Sequence, residues 1–371
     1  MASGRIFNFS AGPSMLPVEI LEQAQADIIN WDGTGMSVME MSHRSKPFES
    51  IHKKCIQDLR DLLNIPPNFK VLLMQGGGST QFACVPLNLL KDKETANYLT
   101  TGAWSTKAIE EARKYCRAHE VATSKSTNFT TIPDPSTWNV DPNGAYFHYC
   151  ANETIHGVEF TLTQEMLDRI GEVPIVADMS SNFLSKPIDF SKHAVVYAGA
   201  QKNAGPAGVT FVIAREDMLG HAKNITPTML DWKIQADNDS MYNTPPCYAI
   251  YICGLYFDYM KRHGGIEAVQ ELDRQKAAIL YDLFDSSNGF YTNPVNPQYR
   301  SKMNVPFLIK GGNVDLEKKF LAEAEAVGLS TLAGHRSVGG LRASIYNGMP
   351  LEGVRRLADF MTEFKTKHEA E

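Results

Sequence analysis

Apolar residues fall along this chain in short runs, and several of the runs stop at a polar or glycine-rich stretch. Residues 70–74 (KVLLM), 96–100, 145–150 (AYFHYC), 174–177, 194–198 and 208–214 (GVTFVIA) each predict a buried strand. Between them the spacing turns helical: residues 17–30, 48–63, the stretch opened by Gly76-Gly77-Gly78, and the stretch TGAWSTKAIEEARKYC. Longer helices are predicted over 247–261 and 265–284, the second amphipathic through Ile266, Val269, Leu272, Ile279, Leu280 and Leu283. After Asn288 the pattern changes to short strands at 302–309 and 341–344 with helices at 314–327 and 351–368, which predicts a smaller α+β domain. Residues 124–144 read mostly as loop.

The polar residues at the strand ends carry the chemistry. The run 174–177 ends on Asp178, and the run 194–198 ends near Gln201 and Lys202, so an acid and an amine sit at the ends of two buried strands. Small residues (Ala200, Ala204, Gly205, Ala207, Gly208) surround the lysine and leave room for a flat ligand. Pyridoxal phosphate uses such a pair: a lysine forms a Schiff base with its aldehyde, and an aspartate keeps its ring nitrogen protonated. Two unrelated strand-end residues would look the same, so the other motifs have to add weight. QGGGST follows the 70–74 strand; its glycines let the backbone approach a ligand, and Ser79 and Thr80 are expected to open a helix whose free N–H groups suit a phosphate. It matches neither GxxxxGK[ST] nor GxGxxG. Trp104, at the start of the next helix, is positioned to stack on an aromatic ring. Asn152, Glu153 and Thr154 follow the 145–150 strand as a third polar cluster, with Thr154 a hydroxyl donor to a ring oxygen. Two adjacent His-Arg pairs, His43-Arg44 and His335-Arg336, and a strand arginine, Arg342, offer donors for phosphate or carboxylate.

Composition narrows the class. The chain of 371 residues is long enough for two domains, and 43% hydrophobic with 21% charged residues is ordinary for a globular protein. A net charge of −6 argues against a nucleic-acid or membrane-surface partner. The sequence holds no run long enough for a transmembrane span and no basic-then-apolar leader at its start. Its six cysteines lack CxxC spacing, so reduced thiols of a cytoplasmic protein are expected, with no zinc site and no metal.

Taken together these motifs resemble the phosphoserine aminotransferase family, in the class-V group of pyridoxal phosphate enzymes. The matching pieces are NFSAGPSMLP, SHRS, GGGSTQF, TGAWS, ANETIHGVE, ADMSSN, YAGAQKNAGPAG, NTPP and GHRSVGGLRASIYN, in this order along nearly the whole chain. The resemblance implies an α/β, aspartate-aminotransferase-like fold of type I: a large, mostly parallel sheet domain with helices on both faces over residues 16–264, and a smaller α+β domain from 1–15 and 265–371. It implies a cofactor, pyridoxal 5′-phosphate, bound by Lys202 as the Schiff-base lysine and paired with Asp178 at the ring nitrogen. Trp104 would stack on the ring and Thr154 would bond its 3-hydroxyl. The amides of Gly78 and Ser79 and the Gln201 side chain would hold the phosphate, with Asn243 and Thr244 reaching it from a partner subunit in a homodimer. Arg342 would grip the substrate α-carboxylate; His43, Arg44, His335 and Arg336 would bind the substrate phosphate or the glutamate side chain, one pair coming from the neighbour. The implied reaction passes the amino group of L-glutamate to 3-phosphohydroxypyruvate. Alternatives are another class-V chemistry, such as alanine–glyoxylate transamination or cysteine desulfuration, and a non-catalytic binding protein on the same fold.

Overall fold

The computed structural model describes residues 4–370. Its centre is a seven-stranded sheet with the spatial order Phe69–Met74, Thr210–Arg215, Val195–Gly199, Ile175–Asp178, Phe147–Cys150, Thr95–Thr100, Arg117–Thr123. All strands run the same way except Thr210–Arg215, which is antiparallel to both of its neighbours. The inner strands alternate between two cores, because successive side chains point to opposite faces. Val71, Leu73, Ala177, Val196, Ala198, Phe211 and Ile213 pack on one side with the helices Lys46–Leu63 and Cys247–Arg262. Leu72, Met74, Val176, Val195, Tyr197 and Val212 pack on the other with the helices Gly77–Leu89 and Ala103–Ala112. Burial on both faces is why these strands read as continuous apolar runs.

The edge strand Arg117–Thr123 escaped the sequence reading. Val121 is its one fully buried residue, so the segment RAHEVAT shows no apolar run. The glycine helix also starts earlier than expected. Gly76 sits in the left-handed region (φ 92°) as its N-cap, the helix begins at Gly77, and the Thr80 hydroxyl is spent on the Gly76 carbonyl at 3.0 Å.

A third core gathers Phe7, Phe9 and Met15 with side chains from residues 277–364, among them Phe284, Phe307, Phe320 and Leu357. Phe7–Asn8 pairs in parallel with Leu329–Ser330, and the strand Asn304–Ile309 lies between Tyr291–Thr292 and Leu341–Ser344. The helix Gly265–Asp285 borders this core and buries a lysine. Lys276 Nζ donates to the carbonyls of Ile345 (2.9 Å), Tyr346 (2.8 Å) and Met349 (3.2 Å), and pairs with Asp273 Oδ1 at 2.8 Å. Both side chains are essentially sealed from solvent. Burial raises the Asp273 carboxyl to about 6, against the pull of Lys276. The ammonium therefore ties the turn after Leu341–Ser344 to the helix.

Truncating one partner of such a pair leaves a buried charge unmatched. Lys276→Met is expected to lower the unfolding free energy by about 3–5 kcal/mol in urea titrations. A loss below about 1 kcal/mol, the level of an exposed pair, would show that the lysine does not hold the turn.

Candidate active site

Five parallel strands deliver their C-terminal ends to one cavity of about 360 Å³. This is the edge at which open α/β sheets bind ligands. After Phe69–Met74 come Gly77, Gly78 and Ser79; after Thr95–Thr100 comes Trp104; after Phe147–Cys150 come Asn152 and Thr154; Asp178 ends its own strand; and Lys202 with Gln201 follows Val195–Gly199. Ala11 and Gly12 of the N-terminal arm, and His335 and Arg342 of the third core's segment, complete the wall. Ser14 fixes the arm: its N–H donates to the Gln201 carbonyl (2.9 Å) and its hydroxyl to the Lys202 carbonyl (2.5 Å).

Lys202 is buried, and its Nζ donates to Thr154 Oγ1 at 2.8 Å while lying 5.3 Å from the centre of the Trp104 ring. Burial holds its ammonium below the ordinary lysine value, with Asp178 pulling the other way. Asp178 is also buried; loss of water pushes its carboxyl up, opposed by hydrogen bonds from Ser180 and by the charge of Lys202. One of those bonds is the Ser180 N–H to Asp178 Oδ1, 2.9 Å. Trp104 presents a buried Nε1–H without a hydrogen-bond partner among the described residues. No side chain caps the helix that begins at Gly77, so its first N–H groups stay available to an anion. Arg342 is half-buried, and its Nη1 donates to the Thr154 carbonyl at 3.3 Å.

An amine, an acid, an indole face and an uncapped helix start around one small-molecule-sized cavity form a donor set that fits a pyridine ring bearing an aldehyde and a phosphate. Cys150 lines the same cavity, which the sequence reading did not foresee. Burial beside Glu153 and Asp178 drives its thiol well above the usual range, so it stays protonated and is a poor nucleophile. Ser180 and Ser181 were also missed, although both follow Asp178 directly in the sequence as turn residues.

The remaining predicted residues do not line this cavity. Arg336 is exposed on the loop that carries His335, whose Nδ1 meets Ser337 Oγ at 2.7 Å. His43 and Arg44 border a different and larger cleft, about 960 Å³, with Glu49, Lys53, Asp58 and Lys261. That cleft is walled by charged side chains already tied in ion pairs, such as Lys261 with Asp58 and Asp61, and brings together no acid–amine pair at strand ends. Its size is therefore a weaker guide to the chemistry than the smaller cavity's residues. Asn243 and Thr244 are exposed.

Comparison with known proteins agrees with this geometry. The family model for Aminotransferase class-V matches residues 6–357. The phosphoserine aminotransferase of Laribacter hongkongensis is 53% identical over 363 residues, covering 98% of this chain and 99% of that protein. The chloroplastic phosphoserine aminotransferase 1 of Arabidopsis thaliana is 51% identical, covering 98% of this chain and 83% of that one. The solved phosphoserine aminotransferase of Bacillus circulans subsp. alkalophilus superposes with a TM-score of 0.94 at 45% identity, over 98% of this chain and 99% of that one. The pyridoxal phosphate-bound enzyme of Trichomonas vaginalis gives 0.92 at 41% identity, over 96% and 100%. An amine and an acid at neighbouring strand ends, inside a fold shared across the full chain, mark this protein as a member of the phosphoserine aminotransferases, a family of class-V pyridoxal phosphate-dependent transaminases.

Proposed function

We propose that this protein transfers the amino group of L-glutamate to 3-phosphohydroxypyruvate, giving 2-oxoglutarate and O-phospho-L-serine, with pyridoxal 5′-phosphate held between Asp178 and Lys202. The observation that carries this reading is that Lys202, Asp178, Trp104 and Arg342 wall a single cavity. When bound, the cofactor supplies an aldehyde that accepts the amino group and a ring that withdraws the electron pair from the substrate α-carbon.

The chain's own residues then divide the work. The amides of Gly78 and Ser79, with the Gln201 side chain, hold the phosphate at the positive end of the Gly77–Leu89 helix. The Asp178 carboxylate keeps the ring nitrogen protonated, the Thr154 hydroxyl meets the ring oxygen, and Trp104 covers one face. Lys202 Nζ takes the proton from the substrate α-carbon. Its burial favours the neutral amine, the form able to do so. Arg342 binds the α-carboxylate with parallel N–H donors. His335 and Arg336, with His43 and Arg44, receive the substrate phosphate or the glutamate side-chain carboxylate. Both acids accept the same donors, so one site serves two substrates.

We further assign a homodimer. His43, Arg44, Asn243 and Thr244 do not line the cavity of their own chain, and Met36, Met39 and Ile29 expose apolar surface near the first pair in sequence. A second copy bringing Asn243 and Thr244 to the phosphate, and one His-Arg pair to the substrate, accounts for both. We read residues 16–264 as the cofactor domain and 1–15 with 265–371 as the small domain, a division supported by the separate core that joins Phe7, Phe9 and Met15 to residues 277–364. Free thiols at all six cysteines suit a reducing compartment, and we assign the protein to the cytoplasm. Among the described residues no helix is long and apolar enough to cross a membrane.

Glutamate with 3-phosphohydroxypyruvate is expected to turn over far faster than glutamate with pyruvate or glyoxylate, and Lys202→Ala to abolish both turnover and the visible cofactor band. Faster turnover of glyoxylate would replace the substrate assignment, and a fully active Lys202→Ala protein would remove the lysine's role. Cofactor uptake by stripped protein reports the Lys202 amine directly. Because its pKa lies below the ordinary 10.5, the uptake rate should rise with pH and level off before that value. A rise that persists through pH 10.5 would mean that burial does not perturb the amine. Dimers mixing Asn243→Ala and Lys202→Ala subunits should recover part of the activity, since one of the two sites then carries neither lesion. No recovery would place Asn243 in its own subunit's site.

A further inference from the structure

Two helices start at the cavity, and the chain treats their N-termini in opposite ways. The Gly77–Leu89 helix is uncapped. The Ala103–Ala112 helix has its first three N–H groups taken by side chains from another segment. Ala103 N–H donates to His156 Nδ1 (3.3 Å), Trp104 N–H to Glu153 Oε2 (2.9 Å) and Ser105 N–H to Glu153 Oε1 (2.9 Å). The Ser105 hydroxyl adds a bond to Glu153 Oε1 at 2.5 Å. Glu153 is fully buried. Loss of water pushes its carboxyl up, while the bonds from Ser105 and Trp104 favour the anion. The backbone has been shaped around it: a Cβ on Gly102 would stand 2.3 Å from Glu153 Cδ.

The same short segment reaches the other parts of the site. Asn152–Glu153 pairs with Val158–Glu159 as a two-stranded hairpin. Next to Glu153, Thr154 accepts from Lys202 Nζ with its hydroxyl and from Arg342 Nη1 with its carbonyl. A displacement of the Glu153 carboxylate would release the helix start on which Trp104 rides. It would also bare N–H groups that compete for an anion with those at Gly77.

We propose that Glu153 is a positioning residue: its carboxylate, bound across the start of the Ala103–Ala112 helix, fixes the Trp104 indole over Lys202 and leaves the Gly77 helix as the free phosphate-binding end. The assignment rests on the cofactor reading above. It acts through Trp104, so its signature is coupling between the two positions.

The test is a double-mutant cycle of Glu153→Gln and Trp104→Phe, reading pyridoxal phosphate affinity by titrating cofactor-stripped protein and following ring absorbance. Glutamine keeps the shape but sets an amide N–H₂ against a backbone N–H donor. Glu153→Gln alone is expected to weaken binding about tenfold or more, as for a lost hydrogen bond to a charged group. In the Trp104→Phe background the same change should cost less than about threefold. Equal losses in the two backgrounds, or no loss in either, would overturn the proposal. If Glu153→Gln does not fold, Gly102→Ala displaces the carboxylate without removing it and should give the same pattern; equal losses there would equally overturn it. Wild-type protein that takes up no pyridoxal phosphate would bring down the cofactor reading instead. Near-ultraviolet circular dichroism of the cofactor-free protein then still decides the positioning role, which an unchanged tryptophan signal in Glu153→Gln would refute.

Discussion

The structure depends on keeping an amine and a carboxylate close together out of water. Isolated, either ion would be costly to bury. Held at the ends of adjacent strands, Lys202 and Asp178 moderate each other's charge, and burial moves both toward their neutral forms. The sheet makes this possible. Strand Ile175–Asp178 lies beside Val195–Gly199 with Asp178 opposite Tyr197, so the acid and the lysine loop emerge at the same edge. Apolar packing on both faces of the sheet fixes that register, because a slip of one residue would exchange the faces of every side chain.

Around this pair several polar groups act as supports at hydrogen-bond distance. Ser180 steadies Asp178, Thr154 meets Lys202, and Arg342 leans on the Thr154 carbonyl. Behind Arg342, the turn that follows its strand is held by the buried Lys276 ammonium, and Tyr346 in that turn donates to the Ala11 carbonyl beside the cavity. Such supports matter because a binding site needs its side chains held to within about half an ångström. The Cys150 thiol shows the complementary effect. It lines the same cavity, yet the burial that shifts the lysine keeps the sulfur protonated.

Much of this was legible in the chain. The inner strands are buried on both faces and so announce themselves as apolar runs, and the chemistry sits at their ends, where a reader looks first. The strand Arg117–Thr123 was silent because an edge strand with one buried side chain has no hydrophobic signature. The start of the glycine helix was misplaced by two residues because glycine is a poor interior helix former, and here a left-handed Gly76 lets two more glycines enter the first turn. Glu153 looked like one polar residue in a cluster; its significance lies in a bond to Trp104, a residue distant in sequence. His43, Arg44, Asn243 and Thr244 carry sequence signals without a place in the cavity of one chain.

The N-terminal arm has a consequence for how the protein folds. Phe7–Asn8 pairs with the far-off Leu329–Ser330, and Ser14 bonds to Lys202, 188 residues later. Neither contact can form until those distant segments fold back onto the arm. The large sheet is packed on its own cores, and docking of the arm against Leu329–Ser330 is a long-range step of the kind that forms slowly. Completion of the cavity wall, to which Ala11 and Gly12 belong, thus depends on contacts between segments far apart in the chain.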